Sequence, residues 1–231
     1  ASDVYKRQGR FLVPLRFVEA SVLMCSIRTA ESVCAGHPDK LADQIADQIL
    51  DDILYDDKAA RVAVEVMAAG RRIIVTGEIT TNHRPRIRES VRTALARAGY
   101  SPLGILIYVW TRRQSSDINA GVTTSLEARG GDSSAFALQG AGDQGTVYGY
   151  ATAETPERLP LPLVLAHRIC ERLDTAQVEG TICGIKSDGK AQVSVRYDDT
   201  GTPAAVETVV VSVQHEAGKD LAVLEREVRS L

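Results

Sequence analysis

The sequence has few aromatic residues and little net charge, two features that are typical of proteins binding nucleic acid or membranes when they are abundant. Only 5% of its 231 residues are aromatic, which leaves few side chains on which nucleobases could stack. The formal net charge is -3, so no general basic field attracts nucleic acid or an anionic membrane. We therefore predict neither as a partner. A small anion such as ATP would have to bind in a local pocket, with help from metal ions.

Cysteine is also sparse, and its spacing excludes the usual zinc sites. The chain has four cysteines, with no CxxC pair and no histidine at zinc-ligand spacing: Cys25, Cys34, Cys170 and Cys183. This distribution is typical of reduced thiols, so we expect a cytoplasmic protein. The most apolar stretch near the start, residues 10–24, is interrupted by charges and is too broken for a membrane span of about 20 residues.

The first 24 residues have a basic start and a short apolar run, which allows a signal peptide as one interpretation. A second interpretation is that they are not native. Residues 3–8, DVYKRQ, back-translate readily onto a transposon-end adapter used in preparing DNA libraries. We expect residues 1–24 to be a non-native or disordered leader and the native protein to begin near Met24.

After this leader, hydrophobic periodicity predicts two α+β units in which helices pack on one face of a sheet. We place an amino-terminal module at residues 25–125 and a central module at 126–231. The Ser-, Gly- and Asp-rich residues 112–145 are expected to be mostly loop. The predicted helices are 38–54, 85–98, 160–173 and 219–231, and the predicted strands are 61–67, 73–80, 103–110, 192–197 and 206–213.

The segment ESVCAGHPDK, residues 31–40, places reactive side chains immediately before a predicted helix. A helix start offers unpaired N–H groups and the positive end of the helix dipole, which suit phosphate. His37 and Lys40 can neutralise phosphate oxygens, and Asp39 can hold a divalent ion that bridges them. The alternative is a capped helix with charges on its surface.

Two further segments are weaker when each is taken alone. GAGDQG, residues 140–145, lets the backbone approach a ligand closely, but it is neither a Walker A loop nor GxGxxG, and it also fits a flexible turn. SDGK, residues 187–190, predicts a turn before a strand and equally fits a surface hairpin. Glu65 and Glu78 lie in the middle of predicted strands, where they face either water or a site that favours negative charge.

Taken together and in order, these motifs resemble the S-adenosylmethionine synthetase family. They are ESV followed by GHPDK, GEITT, QSSDI followed by GV, GAGDQG followed by YGYATAET, DGKAQVSVRYDD and VSVQH. The resemblance runs from about Arg28 to the end of the chain and covers the first two modules of a complete enzyme. Residues 100–114 are shorter than in many relatives, and Val213 stands where threonine is common.

The resemblance implies a fold of repeated sheet-plus-helix modules, of which the third is missing here. It implies homodimers or homotetramers with active sites between subunits. It also implies a reaction in which the sulfur of L-methionine displaces triphosphate from the 5′ carbon of ATP. The triphosphate is then hydrolysed to phosphate and diphosphate, with Mg2+ and K+ as cofactors.

The family roles transfer to this chain residue by residue. The implied catalytic residues are His37, Lys40 and Lys190. The implied ATP-binding residues are His37, Asp143, Asp188 and Lys190, and the methionine-binding residues are Glu78 and Gln114. The implied metal ligands are Asp39 for Mg2+ and Glu65 for K+. The stretch from Ser115 to Val122 resembles the loop that gates the site, with Ser115, Ser116, Asp117, Ile118, Asn119 and Gly121 as its members.

The reaction needs in-line positioning and stabilisation of the triphosphate charge, because a thioether sulfur is already a good nucleophile. We therefore predict a truncated synthetase that is inactive by itself, because the family's third module supplies further phosphate and metal ligands. Two other hypotheses stay open: a regulatory or binding subunit that associates with a full-length synthetase, and a polyphosphate hydrolase.

Overall fold

The computed structural model describes residues 26–113, 128, 130–131, 133–134 and 146–231. Helices and strands are mixed in two three-stranded sheets, with strand orders β2-β3-β4 and β1-β5-β6, which confirms the α+β prediction. None of the helices in these ranges is long and apolar enough to cross a membrane. In chain order the elements are β1 Ser26–Val33, α1 Pro38–Asp56, β2 Arg61–Ala69, β3 Arg72–Thr80, α2 Ile87–Arg97, β4 Leu106–Arg112, α3 Leu161–Glu179, β5 Ile185–Tyr197, β6 Pro203–His215 and α4 Leu221–Arg229.

Within the described part of the chain, helices pack on one face of the β2-β3-β4 sheet. β2 and β3 form an antiparallel hairpin whose turn uses Gly70 at a φ of 56°, and β4 returns parallel to β3 after α2. The apolar stripes of α1 and α2 pack on this sheet and bury Ile45, Ile49, Val75 and Val91 completely. The opposite face of the sheet stays open, with Trp110 64% exposed and stacked on Tyr108.

Helix α1 follows from its sequence pattern. Pro38 occupies its first turn, where the missing N–H costs nothing, and the side chain of His37 caps the helix by accepting from the Asp39 N–H. The apolar residues at four-residue intervals are buried, whereas the acidic residues at the same spacing, Asp43, Asp47 and Asp51, are exposed as expected. The helix therefore presents its amino end at the junction with β1.

The β1-β5-β6 sheet joins the two predicted modules. β1 pairs antiparallel with β5 from Ser26↔Tyr197 to Val33↔Lys190, and β5 pairs antiparallel with β6. Helix α3 covers the sheet with Cys170 and Leu173 buried against Ala191. The first strand of the amino-terminal module thus lies in the sheet of the central module, while the 125/126 boundary stays a prediction.

Strand β5 corrects the prediction for residues 187–190. The sequence predicts a turn there, with the strand beginning at Gln192, but β5 begins at Ile185. The backbone of the chain that leaves β1 continues the ladder, since Cys34 N–H donates to Gly189 O at 2.8 Å and Gly36 N–H to Ser187 O at 3.0 Å. This long-range pairing overrides the local preference of Asp-Gly for a turn.

A buried polar contact fixes β1, β5 and the segment before α3. The Tyr197 hydroxyl donates to Glu154 Oε2 at 2.6 Å, and Arg28 lies 3.5 Å from the same carboxylate and 4.0 Å above the tyrosine ring. Burial raises the pKa of Glu154, but hydrogen bonds from Tyr197, Leu161 and Thr152 and the charge of Arg28 outweigh it, so the net pKa is lowered.

Candidate functional site

The structure brings two of the motifs, far apart in sequence, into direct contact. Residues 31–40 leave β1 and enter α1, and along this path they lie against residues 187–190 of β5. Val33 pairs with Lys190, so the two motifs share one ladder. The contact places the amino end of α1 beside an acid and a base of β5, an arrangement suited to phosphate.

Two glycines make the close approach possible. A Cβ on Gly36 would lie 2.5 Å from Ser187 Cβ and 2.7 Å from the backbone carbon and oxygen of Ser187. A Cβ on Gly189 would lie 2.8 Å from Cys34 Sγ. Side chains essentially never occupy such distances, so these positions require glycine for space. The glycines therefore set how tightly the 31–40 segment lies on β5.

The cationic side chains at this contact have local partners. Lys40 Nζ donates to Val33 O at 2.5 Å, and Lys190 Nζ pairs with Glu31 Oε1 at 2.8 Å. The Lys190–Glu31 pair is about half exposed on both sides, where an ion pair contributes roughly 0–1 kcal/mol. An anionic ligand can therefore recruit Lys190 at little cost.

Three side chains that the sequence did not single out hold the 31–40 segment in place. Asp174 of α3 accepts from Ala35 N–H with both carboxylate oxygens, at 3.1 and 3.2 Å. Gln44 Nε2 donates to Ala35 O at 2.9 Å, and the Tyr100 hydroxyl donates to Gly36 O at 2.7 Å. The sequence contains no motif around Asp174 or Tyr100 that could have identified them.

The pKa values of Asp174 and Tyr100 are both raised by their surroundings. Burial raises the pKa of Asp174, although the hydrogen bond from Ala35 and the charge of Lys40 act in the opposite direction. Burial also raises the pKa of Tyr100, and the nearby Asp188 carboxylate adds to this effect.

The two strand glutamates lie on the other sheet. Glu65 of β2 is exposed, and Glu78 of β3 is partly covered and paired with Arg112 at 3.2 Å. Both point to the helix-free face, as alternation with buried Val75 and Ile79 requires. Glu65 and Glu78 are thus on the β2-β3-β4 sheet, whereas residues 187–190 are on the β1-β5-β6 sheet.

The metal-ligating side chains of the described residues are dispersed. Within it, no group of three or more His, Cys, Asp or Glu side chains is arranged to hold a metal ion. Asp39 and Glu65 each offer one exposed carboxylate. Mg2+ commonly binds one or two carboxylates together with substrate phosphates and water, so the position of Asp39 fits a phosphate-bound Mg2+.

Several predicted residues lie outside the described ranges: Gln114, Asp143 and the gating-loop residues Ser115, Ser116, Asp117, Ile118, Asn119 and Gly121. Two cavities among the described residues lie away from the contact between residues 31–40 and 187–190. One of 430 Å³ lies between the end of α1 and the start of α2, and a groove of 670 Å³ lies between α3, β6 and α4.

Comparison with known proteins gives one consistent family. Residues 26–116 match the model "S-adenosylmethionine synthetase, N-terminal domain", and residues 138–231 match "S-adenosylmethionine synthetase, central domain". The S-adenosylmethionine synthase of Kosmotoga olearia is 47% identical over 210 residues, which cover 88% of this chain and 52% of that protein. The S-adenosylmethionine synthase of Corynebacterium urealyticum is 45% identical over 196 residues, covering 81% and 49%. The chain spans about half the length of the curated relatives it matches.

Proposed function

The chain belongs to the S-adenosylmethionine synthetase family, and we propose on this basis that it carries the triphosphate-handling part of a methionine adenosyltransferase site. In the proposed reaction, the complete enzyme makes S-adenosylmethionine from ATP and L-methionine and releases phosphate and diphosphate. These 231 residues alone are proposed to be inactive, because they span about half of each relative.

The observation that supports this proposal most is the contact between residues 31–40 and β5. There the segment that carries His37 and Lys40 at the amino end of α1 lies against the strand that carries Lys190, since Val33 pairs with Lys190. Triphosphate carries several negative charges, so it needs cationic groups from more than one direction. The residues at this contact supply them.

In this site, each side chain has a distinct task. His37, already aimed along the first turn of α1, donates to the oxygen that bridges to the leaving triphosphate. Lys190 leaves Glu31 and binds a terminal phosphate, and Lys40 keeps its position through the Val33 carbonyl. Asp188 orients the nucleotide from β5. None of these groups needs to remove a proton from methionine, because its sulfur attacks as a lone pair.

Metal ions complete the charge balance. Asp39 would hold Mg2+, which supplies further positive charge to the phosphate oxygens, and Glu65 would contribute one ligand to K+. Glu78 would bind the methionine ammonium group. To do so, the Glu78 carboxylate would release its ion pair with Arg112, whose guanidinium is largely exposed, and pair with the substrate ammonium instead. The open sheet face that carries Glu65 and Glu78 is proposed to meet a second copy of the chain in a homodimer or homotetramer, so that the two halves of the site join.

The test has two arms. Calorimetry with tripolyphosphate and Mg2+ measures the phosphate half in the chain as it stands, and binding is expected. S-adenosylmethionine formation is measured from ATP, L-methionine, Mg2+ and K+. It is expected only when the chain is extended by the third module of a relative. Product from the chain alone would refute the proposed inactivity, and tripolyphosphate hydrolysis without methionine would favour the hydrolase hypothesis.

Variants separate Lys190 from general charge effects. In the extended enzyme, Lys190→Ala is expected to lower kcat by about 10²–10³-fold, the usual loss on removing one stabilising charge contact. Lys186→Ala is the matched control, because Lys186 lies on the same strand and is exposed. Equal activity of the two variants would contradict the role assigned to Lys190.

A further inference from the structure

The buried thiols of Cys34 and Cys170 lie together where the 31–40 segment packs against α3. Cys34 follows β1 and Cys170 lies on α3, and both are at most 3% exposed. Cys34 Sγ donates to the Cys170 carbonyl at 3.8 Å, and both side chains belong to one buried cluster. The two cysteines are 136 positions apart in sequence, so the tertiary fold alone creates this pair.

The surroundings of Cys170 favour its thiolate form. Besides Cys34, the Ser32 side chain and the Ala191 backbone N–H hydrogen-bond to it, and Lys40 adds a positive charge. The hydrogen bond from Cys34 acts most strongly, burial opposes it, and the pKa of Cys170 is lowered to about 7. The same contact and burial raise the pKa of Cys34, so Cys34 keeps its proton. Cys170 is therefore the member of the pair that is favoured to react as a thiolate.

We propose that Cys34 and Cys170 form an oxidation site, in which a peroxide links the 31–40 segment to α3 through a disulfide. The Cys170 thiolate attacks one oxygen of hydrogen peroxide, the O–O bond breaks, and Cys170 becomes a sulfenic acid while hydroxide leaves. The Cys34 sulfur then attacks the Cys170 sulfur, the S–O bond breaks, and water forms with the proton of Cys34. The two thiols lose two electrons in total, and peroxide gains them.

Both cysteines are almost inaccessible to solvent, so only a small oxidant can reach their sulfur atoms. Hydrogen peroxide is close to water in size, whereas a glutathione disulfide would have to open the β1–α3 contact. The third described cysteine, Cys183, is exposed and donates only to the carbonyl of Gly180. It lacks the cluster of donors that surrounds Cys170, so it serves as an internal comparison. The oxidation site does not depend on the proposed function.

The experiment treats the folded chain with a slight excess of hydrogen peroxide and maps its peptides by mass spectrometry without reduction. The expected result is a loss of two hydrogens from the chain and a cross-linked peptide that joins Cys34 to Cys170. Dithiothreitol should reverse it. The cross-linked chain is expected to melt at a higher temperature than the reduced chain, because the link restricts the unfolded chain.

Variants test the pairing. Cys34→Ser and Cys170→Ser are each expected to abolish the cross-link, while Cys183→Ser keeps it. If Cys34→Ser or Cys170→Ser fails to fold because the new serine is buried, peptide mapping of the wild type is sufficient to test the proposal. Three results would overturn the proposal: all thiols of the wild type surviving, a cross-link that involves Cys183 instead, or Cys170 advancing to sulfinic acid without a cross-link.

Discussion

Replacing Gly36 with alanine tests whether the contact between residues 31–40 and β5 is as tight as the structure indicates. The new Cβ would lie 2.5 Å from Ser187 Cβ and 2.7 Å from its backbone carbon and oxygen. Carbon atoms at rest are about 3.5–4.0 Å apart, so the segment must move off β5 by about 1 Å. This shift stretches the hydrogen bond from Gly36 N–H to Ser187 O, now 3.0 Å.

The free-energy cost has separable parts. Overpacking of this kind costs about 1–3 kcal/mol, and each weakened hydrogen bond adds about 1 kcal/mol. Against this, alanine restricts the unfolded chain and returns about 0.4–1 kcal/mol. The net expectation for Gly36→Ala, with one weakened hydrogen bond, is a loss of about 1–3.5 kcal/mol in the free energy of unfolding.

Gly149→Ala is the matched control. A Cβ at Gly149 meets no atom of the described residues within 4 Å, and neither glycine has a positive φ. Both variants therefore share the unfolded-state effect and differ in steric contact. Urea denaturation of both variants, followed by circular dichroism, measures the difference. A free energy of unfolding for Gly36→Ala within about 0.5 kcal/mol of that for Gly149→Ala would refute the reasoning. Weaker tripolyphosphate binding by Gly36→Ala is expected in parallel.

Three further predictions concern the core and the Glu154 contact. Tyr197→Phe leaves Glu154 without its shortest hydrogen bond and is expected to lower the free energy of unfolding by about 1.5–3 kcal/mol in urea titrations. Because the folded pKa of Glu154 is lowered, its contribution is complete above the ordinary pKa and disappears as pH falls through the folded pKa. As the pH is lowered below about 4.5, the urea concentration at the unfolding midpoint should therefore decrease less steeply for Glu154→Gln than for the wild type. Ile45→Ala empties a fully buried position and should cost about 2–5 kcal/mol by the same assay, whereas the exposed Asp43→Ala should change it by less than about 0.5 kcal/mol.

Periodicity predicted the elements well where the core alone decides them. The stripe of Leu41, Ile45, Ile49 and Ile53 predicted α1, and the alternation of apolar and polar residues over 61–67 predicted β2, because burial follows these periods directly. The start of β5 was predicted wrongly, because Ser187 and Gly189 pair with a segment distant in the chain. No local pattern records such a partner.

The same limit applies to the candidate site. The sequence indicated His37, Asp39 and Lys40 as a group because they are adjacent, and the resemblance added Lys190. It did not indicate that Asp174 and Tyr100 hold the backbone of residues 35 and 36, since one carboxylate on a helix and one tyrosine after a glycine are common features. Only the fold shows that their polar atoms reach this backbone.

The pairing of β1 with β5 has a consequence for synthesis on the ribosome. Thr29 and Ser194 bond across this ladder, yet they are 165 positions apart. At about 5–20 residues per second, β1 waits roughly 10–30 seconds for its partner to be translated. During that time the β2-β3-β4 sheet and its two helices can already fold, while β1 presents an unpaired edge to other chains. Because β1 pairs with a strand so distant in sequence, it is the part of the nascent chain most exposed to misassembly. A chaperone would therefore help most at β1.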